Sequence, residues 1–138
     1  MSEASGGRGL LRDGRAQATV ELALVLPVLL LVTAAICQLG LALNCHIVVT
    51  SAARDGARRA AETNDRERAA RTTFDSAAGL PGDRPDVAVE FPEGRARGDA
   101  VRVTVSYRMP LLLPGLDRLV PRPVLRSSAC MSLERGEP

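Results

Sequence analysis

Gln17 and Glu21 stand four residues apart on a strongly helix-forming stretch, so on a helix they are neighbours on one face. Glu21 is the last charge before residues 22–43, a run of 22 residues that carries none. A carboxylate beside hydrocarbon is costly, about 2.5–3.5 kcal/mol if it reached the bilayer centre and less near the edge, so an acid in that position is a candidate for function. Its plainer role is an interfacial acid that faces water.

Other chemistry has little to stand on. The single His46 adjoins the end of the apolar run, and no nucleophile, base and orienting acid form a recognised constellation, so an enzyme is not expected. No Cys or His pair has zinc-ligand spacing, and the Gly6-Gly7-Arg8-Gly9 cluster does not follow a strand as a phosphate-binding loop would. Neither a cofactor nor a small-molecule substrate is implied. The net charge of +2 arises from 18 Arg and 16 acids, with no Lys. The Arg residues are scattered and aromatic stacking platforms are missing, so nucleic acid is not an expected partner.

The elements that must position Gln17 and Glu21 follow from the hydropathy pattern. At about 1.5 Å per residue the run 22–43 spans about 33 Å, enough for a bilayer core of about 30 Å, and predicts one transmembrane helix. A cleaved secretory signal has a shorter apolar region and a small-x-small cut site; Gly40-Leu41-Ala42 is a poor one. Asn44 before Cys45 also argues against a lipoprotein. Arg8, Arg12 and Arg15 on one side balance Arg54, Arg58 and Arg59 on the other. The short tail lies closer to the run and a long domain translocates largely regardless of its charge, which makes the tail cytoplasmic and the rest extracytoplasmic.

Three segments result: a Gly-rich leader over 1–16 expected to be disordered, a membrane helix over 17–43, and an extracytoplasmic domain over 44–138. Little stops the helix before Thr63-Asn64-Asp65, although Pro27 removes a donor, crowds the carbonyl of Ala23 and predicts a kink. Arg58 and Glu62 have the spacing of a helical ion pair. Asn64 or Asp65 should cap a second helix over 66–78, which Gly79 and Pro81 end. The period then changes to two. Val87, Val89 and Phe91 alternate with polar or small residues, as do Val101, Val103, Val105 and Tyr107. A third alternating run over 124–134 puts Leu125, Ala129, Met131 and Leu133 on one face. An α+β fold with a three-stranded antiparallel sheet against the helix end would bury these faces. Leu111-Leu112-Leu113-Pro114-Gly115 is too apolar for an exposed loop and is expected to cover the sheet edge. With two Phe and one Tyr the core must rely on Val, Leu and Ala. A disulfide between Cys45 and Cys130 would support so thin a core by about 2–4 kcal/mol in an oxidising exterior, but strict alternation puts Cys130 on the polar face with Arg126 and Glu134. Cys37 falls in the membrane run as a small apolar residue.

The string Ala16-Gln17-Ala18-Thr19-Val20-Glu21-Leu22-Ala23-Leu24-Val25-Leu26-Pro27 resembles the processing and assembly signal of type IV pilin-like proteins. It is closest to that of the TadE-like pseudopilins of the tight-adherence (Flp) pilus system. Ala52-Ala53-Arg54-Asp55-Gly56-Ala57-Arg58 resembles the segment that follows the membrane helix in that family. Tyr107, residues 110–114, Met131 and Glu134 resemble its closing strands. The family's usual Gly before the cut is Ala16 here. The resemblance implies a single-pass minor pseudopilin, cut by a prepilin peptidase between Ala16 and Gln17, with other pilin or pseudopilin subunits and the assembly machinery as partners. It implies that the new amine on Gln17 meets Glu21 of an adjacent subunit. An unprocessed, membrane-anchored interaction domain is the competing reading, and a secreted domain released by ordinary signal cleavage is a third.

Overall fold

Helix-forming residues dominate from Leu10 to Thr63, and the computed structural model forms one helix of them. It describes residues 7–94, 96–112 and 121–134, with side chains from residue 16 onward. Helix α1 (Gly7–Thr63) is followed by α2 (Arg66–Ser76) and strands β1 (Asp86–Glu90), β2 (Ala100–Arg108) and β3 (Val124–Ser132). This is the α+β fold expected. The chain divides into two units, Met1–Cys37 and Gln38–Pro138.

The start of α1 corrects one expectation. Residues 7–16 are helical although their composition predicts an irregular leader. Propagating an existing helix adds one hydrogen bond per residue fixed, without the cost of a new nucleus, so the helix beginning at Gln17 recruits the neighbouring Leu10, Leu11 and Arg12. Pro27 lies inside α1, and the helix is continuous through it.

At its other end α1 stops where the sequence indicates. Asn64 takes φ 51°, a left-handed conformation that Asn tolerates, and its N–H donates to the Ala60 carbonyl at 2.9 Å. Asp65 is the N-cap of α2: its carboxylate accepts from the backbone N–H groups of Glu67 at 2.9 Å and Arg68 at 3.3 Å. Helix α2 ends at Ser76, two residues before the expected limit, because its C-cap Ala77 leaves helical geometry with φ −92° and ψ 2°.

The sheet has the order β1-β2-β3 and is antiparallel throughout. Val89 pairs with Val103, which pairs with Ala129, and Tyr107 pairs with Leu125. Val101, Val103, Val105 and Tyr107 all face the core, where they meet Val49, Ala53, Ala57, Ala60 and Ala61 of α1 and Ala69 of α2. Small helix side chains offset the shortage of large ones, since they let backbone and sheet approach closely. Met131 shares this face by register yet stays 38% exposed. Strand β3 stops at Ser132 rather than Glu134 because the backbone then finds other partners. The Leu133 N–H donates to Asp99 at 2.7 Å, and the Glu134 N–H donates to Ala61 of α1 at 3.1 Å.

Candidate assembly interface

Ala16, Gln17 and Glu21 lie on continuous α1 backbone and are exposed, so Gln17 and Glu21 stand one helical turn apart on one face. Beyond them the large apolar side chains have no cover within their own unit. From Leu26 at 48% to Leu24 at 70%, the Val and Leu residues between 20 and 32 are exposed. Burying such surface is favourable by about 25 cal/mol per Å², so this helix demands lipid or other apolar helices around it. Among the described residues one helix is long and apolar enough to cross a membrane, the part of α1 from Ala16 onward. The one hydroxyl between residues 22 and 37, on Thr33, is satisfied by donating to the Leu29 carbonyl at 2.8 Å, which removes a cost of placing it in hydrocarbon.

In the second unit, α1 is two-faced. Cys45, Val49, Ala52, Ala53, Gly56, Ala57 and Ala60 are buried, whereas His46, Arg54, Arg58 and Arg59 are exposed. Glu62 accepts from Arg58 at 3.0 Å and lies 3.6 Å from Arg59. The Arg58 hydrogen bond, opposed by some desolvation and helped by the charges of both arginines, holds the Glu62 carboxyl below the usual carboxylate range. The expected ion pair therefore forms, on an exposed face where such pairs stabilise little.

The structure does not bring Cys45 and Cys130 together. Cys130 sits opposite Arg102 on the exposed face of the sheet, while Cys45 is buried in the core on the other face. All three cysteines are free, and Cys37 is exposed in the first unit. Burial pushes the Cys45 thiol above its ordinary value, which makes it a poor nucleophile.

Three contacts escaped the sequence reading. Gly56 of α1 lies tightly against α2: a Cβ there would lie 2.0 Å from Thr73 Oγ1 and 3.2 Å from Val103 Cγ1. The signal was a glycine among alanines in a helix, which costs about 1 kcal/mol relative to Ala and calls for a packing reason. The Tyr107 hydroxyl donates to the Pro81 carbonyl, and burial above all, with Cys45 and Asp83 adding to it, raises its pKa. Gln38 bonds to the chain after β2: Oε1 accepts from the Leu112 N–H at 2.9 Å and Nε2 donates to the Pro110 carbonyl at 3.3 Å. A lone amide in an apolar run was its signal.

A partly enclosed cavity of about 290 Å³ lies beside the end of α2, lined by Phe74, Asp75, Leu80, Asp83 and Arg84 among others. It holds no pairing of nucleophile and base. Among the described residues no group of three His, Cys, Asp or Glu side chains is placed to hold a metal ion.

The model of the TadE-like protein family matches residues 16–58. This segment is TadE-like. The match begins at Ala16, the residue before the expected cut, takes in Gln17, Glu21 and the whole apolar run, and ends at Arg58 on the Ala-rich part of α1. The TadE-like segment thus supplies both the exposed apolar helix and most of the helical face on which the sheet packs. The family associates the chain with tight-adherence pilus systems. The closing-strand resemblance at Tyr107, Met131 and Glu134 lies outside the matched residues. No curated protein and no solved structure matches the chain.

Proposed function

We propose that the protein is a minor pseudopilin, a noncatalytic structural component in the assembly of a tight-adherence pilus or a related secretion machine. The observation that carries this reading is the coincidence, within the TadE-like residues, of the Ala16–Glu21 signal with an apolar helix that leaves its large side chains uncovered. The N-terminus faces the cytoplasm and residues 44–138 lie outside it. A prepilin peptidase cuts after Ala16, and the charged amine that Gln17 gains then meets the Glu21 carboxylate of a neighbouring subunit. Either charge buried alone would be unfavourable, so the pair sets axial register while the apolar helices provide most of the contact.

Cleavage pockets of this kind favour glycine because it has no side chain, and Ala16 therefore slows the cut. The same Ala16 is what favours the alternative, an unprocessed membrane-anchored interaction domain. Two measurements on a membrane fraction from cells with the complete machinery separate the readings: the mature N-terminal sequence and copurification with pilus components. A terminus at Gln17 with copurification supports the pseudopilin. An intact Met1 or Ser2 terminus with no pilus component bound supports the anchored domain.

A further inference from the structure

Six residues of the uncharged run, 38–43, belong to the domain unit. The part left to the first unit, residues 22–37, spans only about 24 Å at helical rise, short of a hydrocarbon core of about 30 Å. If α1 crosses the membrane with Glu21 at the edge, hydrocarbon extends past Gln38. Whatever is hydrogen-bonded to Gln38 is then at the depth of the membrane surface.

What is bonded there is the segment 109–112. Three of its backbone polar groups are met by protein. The Met109 N–H donates to the Pro123 carbonyl at 3.0 Å, Pro110 has no N–H, and Gln38 takes both the Pro110 carbonyl and the Leu112 N–H. Each internal partner lowers the cost of holding irregular backbone at a low-dielectric boundary. Its side chains point to the same environment: Leu112 is 48% exposed, and Leu39 and Leu43 of the same unit are 60% and 58% exposed. An apolar loop that faced water would gain nothing from this exposure.

We infer that the segment 109–112 is a membrane-contact loop, seated in the interfacial layer of the bilayer that α1 crosses, with Leu112 against lipid. The inference rests on the reading of α1 as a membrane span.

The test uses the full chain with Cys37→Ala and Cys130→Ala, reconstituted in phosphatidylcholine vesicles with and without bromine on the acyl chains. Single cysteines replace Leu112, Leu30 or Asp99 and carry a fluorophore sensitive to polarity. The expected result is bromine quenching and a blue-shifted emission at Leu112 and Leu30, and neither at Asp99. Leu112 behaving like Asp99 while Leu30 is quenched overturns the loop and leaves the span intact. Absence of quenching at Leu30 as well overturns the span and the loop with it. Cys45 must remain unlabelled as a mark of the folded domain; should Leu112→Cys expose it, Leu111→Cys provides the same reading.

Discussion

Replacing Gly56 by Ala tests the packing of the domain where α1 meets Thr73 of α2. The new Cβ would meet Thr73 Oγ1 at 2.0 Å and Val103 Cγ1 at 3.2 Å, so the first contact falls more than 1 Å inside ordinary van der Waals separation. Thr73 cannot yield freely: it is buried, and its hydroxyl donates to the Ala69 carbonyl at 2.8 Å. Forcing the helices apart costs about 1–3 kcal/mol, and a lost Thr73 hydrogen bond adds about 1 kcal/mol. The better helix propensity of Ala returns about 1 kcal/mol. A net loss of about 1–3 kcal/mol raises the open population by a factor of roughly 5–150. Cys45 reports that population, since it is buried and reacts only when the domain opens. In the Cys37→Ala, Cys130→Ala background, Gly56→Ala should speed Cys45 modification by that factor. Gly40→Ala should not, as nothing lies within 4 Å of its added carbon. Adding Thr73→Ala to Gly56→Ala should recover part of the loss, a non-additivity that marks direct contact. A Gly56→Ala protein whose Cys45 reacts no faster than the parent's would refute the reasoning.

Tyr107→Phe removes the bond to Pro81 and should lower stability by about 0.5–1.5 kcal/mol at neutral pH. The raised pKa of Tyr107 means that its contribution is whole below the unfolded tyrosine value near about 10 and is lost as pH rises through the folded value, so the substitution should also flatten the alkaline limb of a stability–pH curve. Asp65→Ala strips the α2 cap and should cost about 1 kcal/mol by denaturant titration. In native protein a polar thiol reagent should modify Cys130 rapidly and Cys45 only on unfolding, and mass spectrometry that finds the two bridged would contradict the placement of Cys130 on the exposed sheet face.

Features that depend on periodicity were legible in the sequence. The alternation of Val101, Val103, Val105 and Tyr107 marked β2 and its buried face, and Asn64-Asp65 marked the break between the helices, because both follow from local geometry. Contacts set by distant segments were not. Nothing near Gly56 announces that Thr73 will rest on it, and nothing near Gln38 announces the loop 109–112, since each pairing joins segments far apart in the chain. Parity placed Cys130 on the polar face, and the register opposite Arg102 shows why Cys45 is out of its reach. For the assembly site the sequence carried Gln17 and Glu21 to one helical face and no further, because the proposed partner of each is a second subunit.

The central claim is that Glu21 pairs with the amine of a neighbouring subunit, and Glu21→Ala tests it most directly, by copurification with pilus components from cells that make the complete machinery. Membrane insertion depends on the uncharged run 22–43, so the variant should still fractionate with the membrane. It should lose the pilus components, because the amine on Gln17 would be desolvated without a counter-charge, and Glu21→Asp should lose them in part. A Glu21→Ala protein that copurifies normally and supports normal piliation would contradict the account.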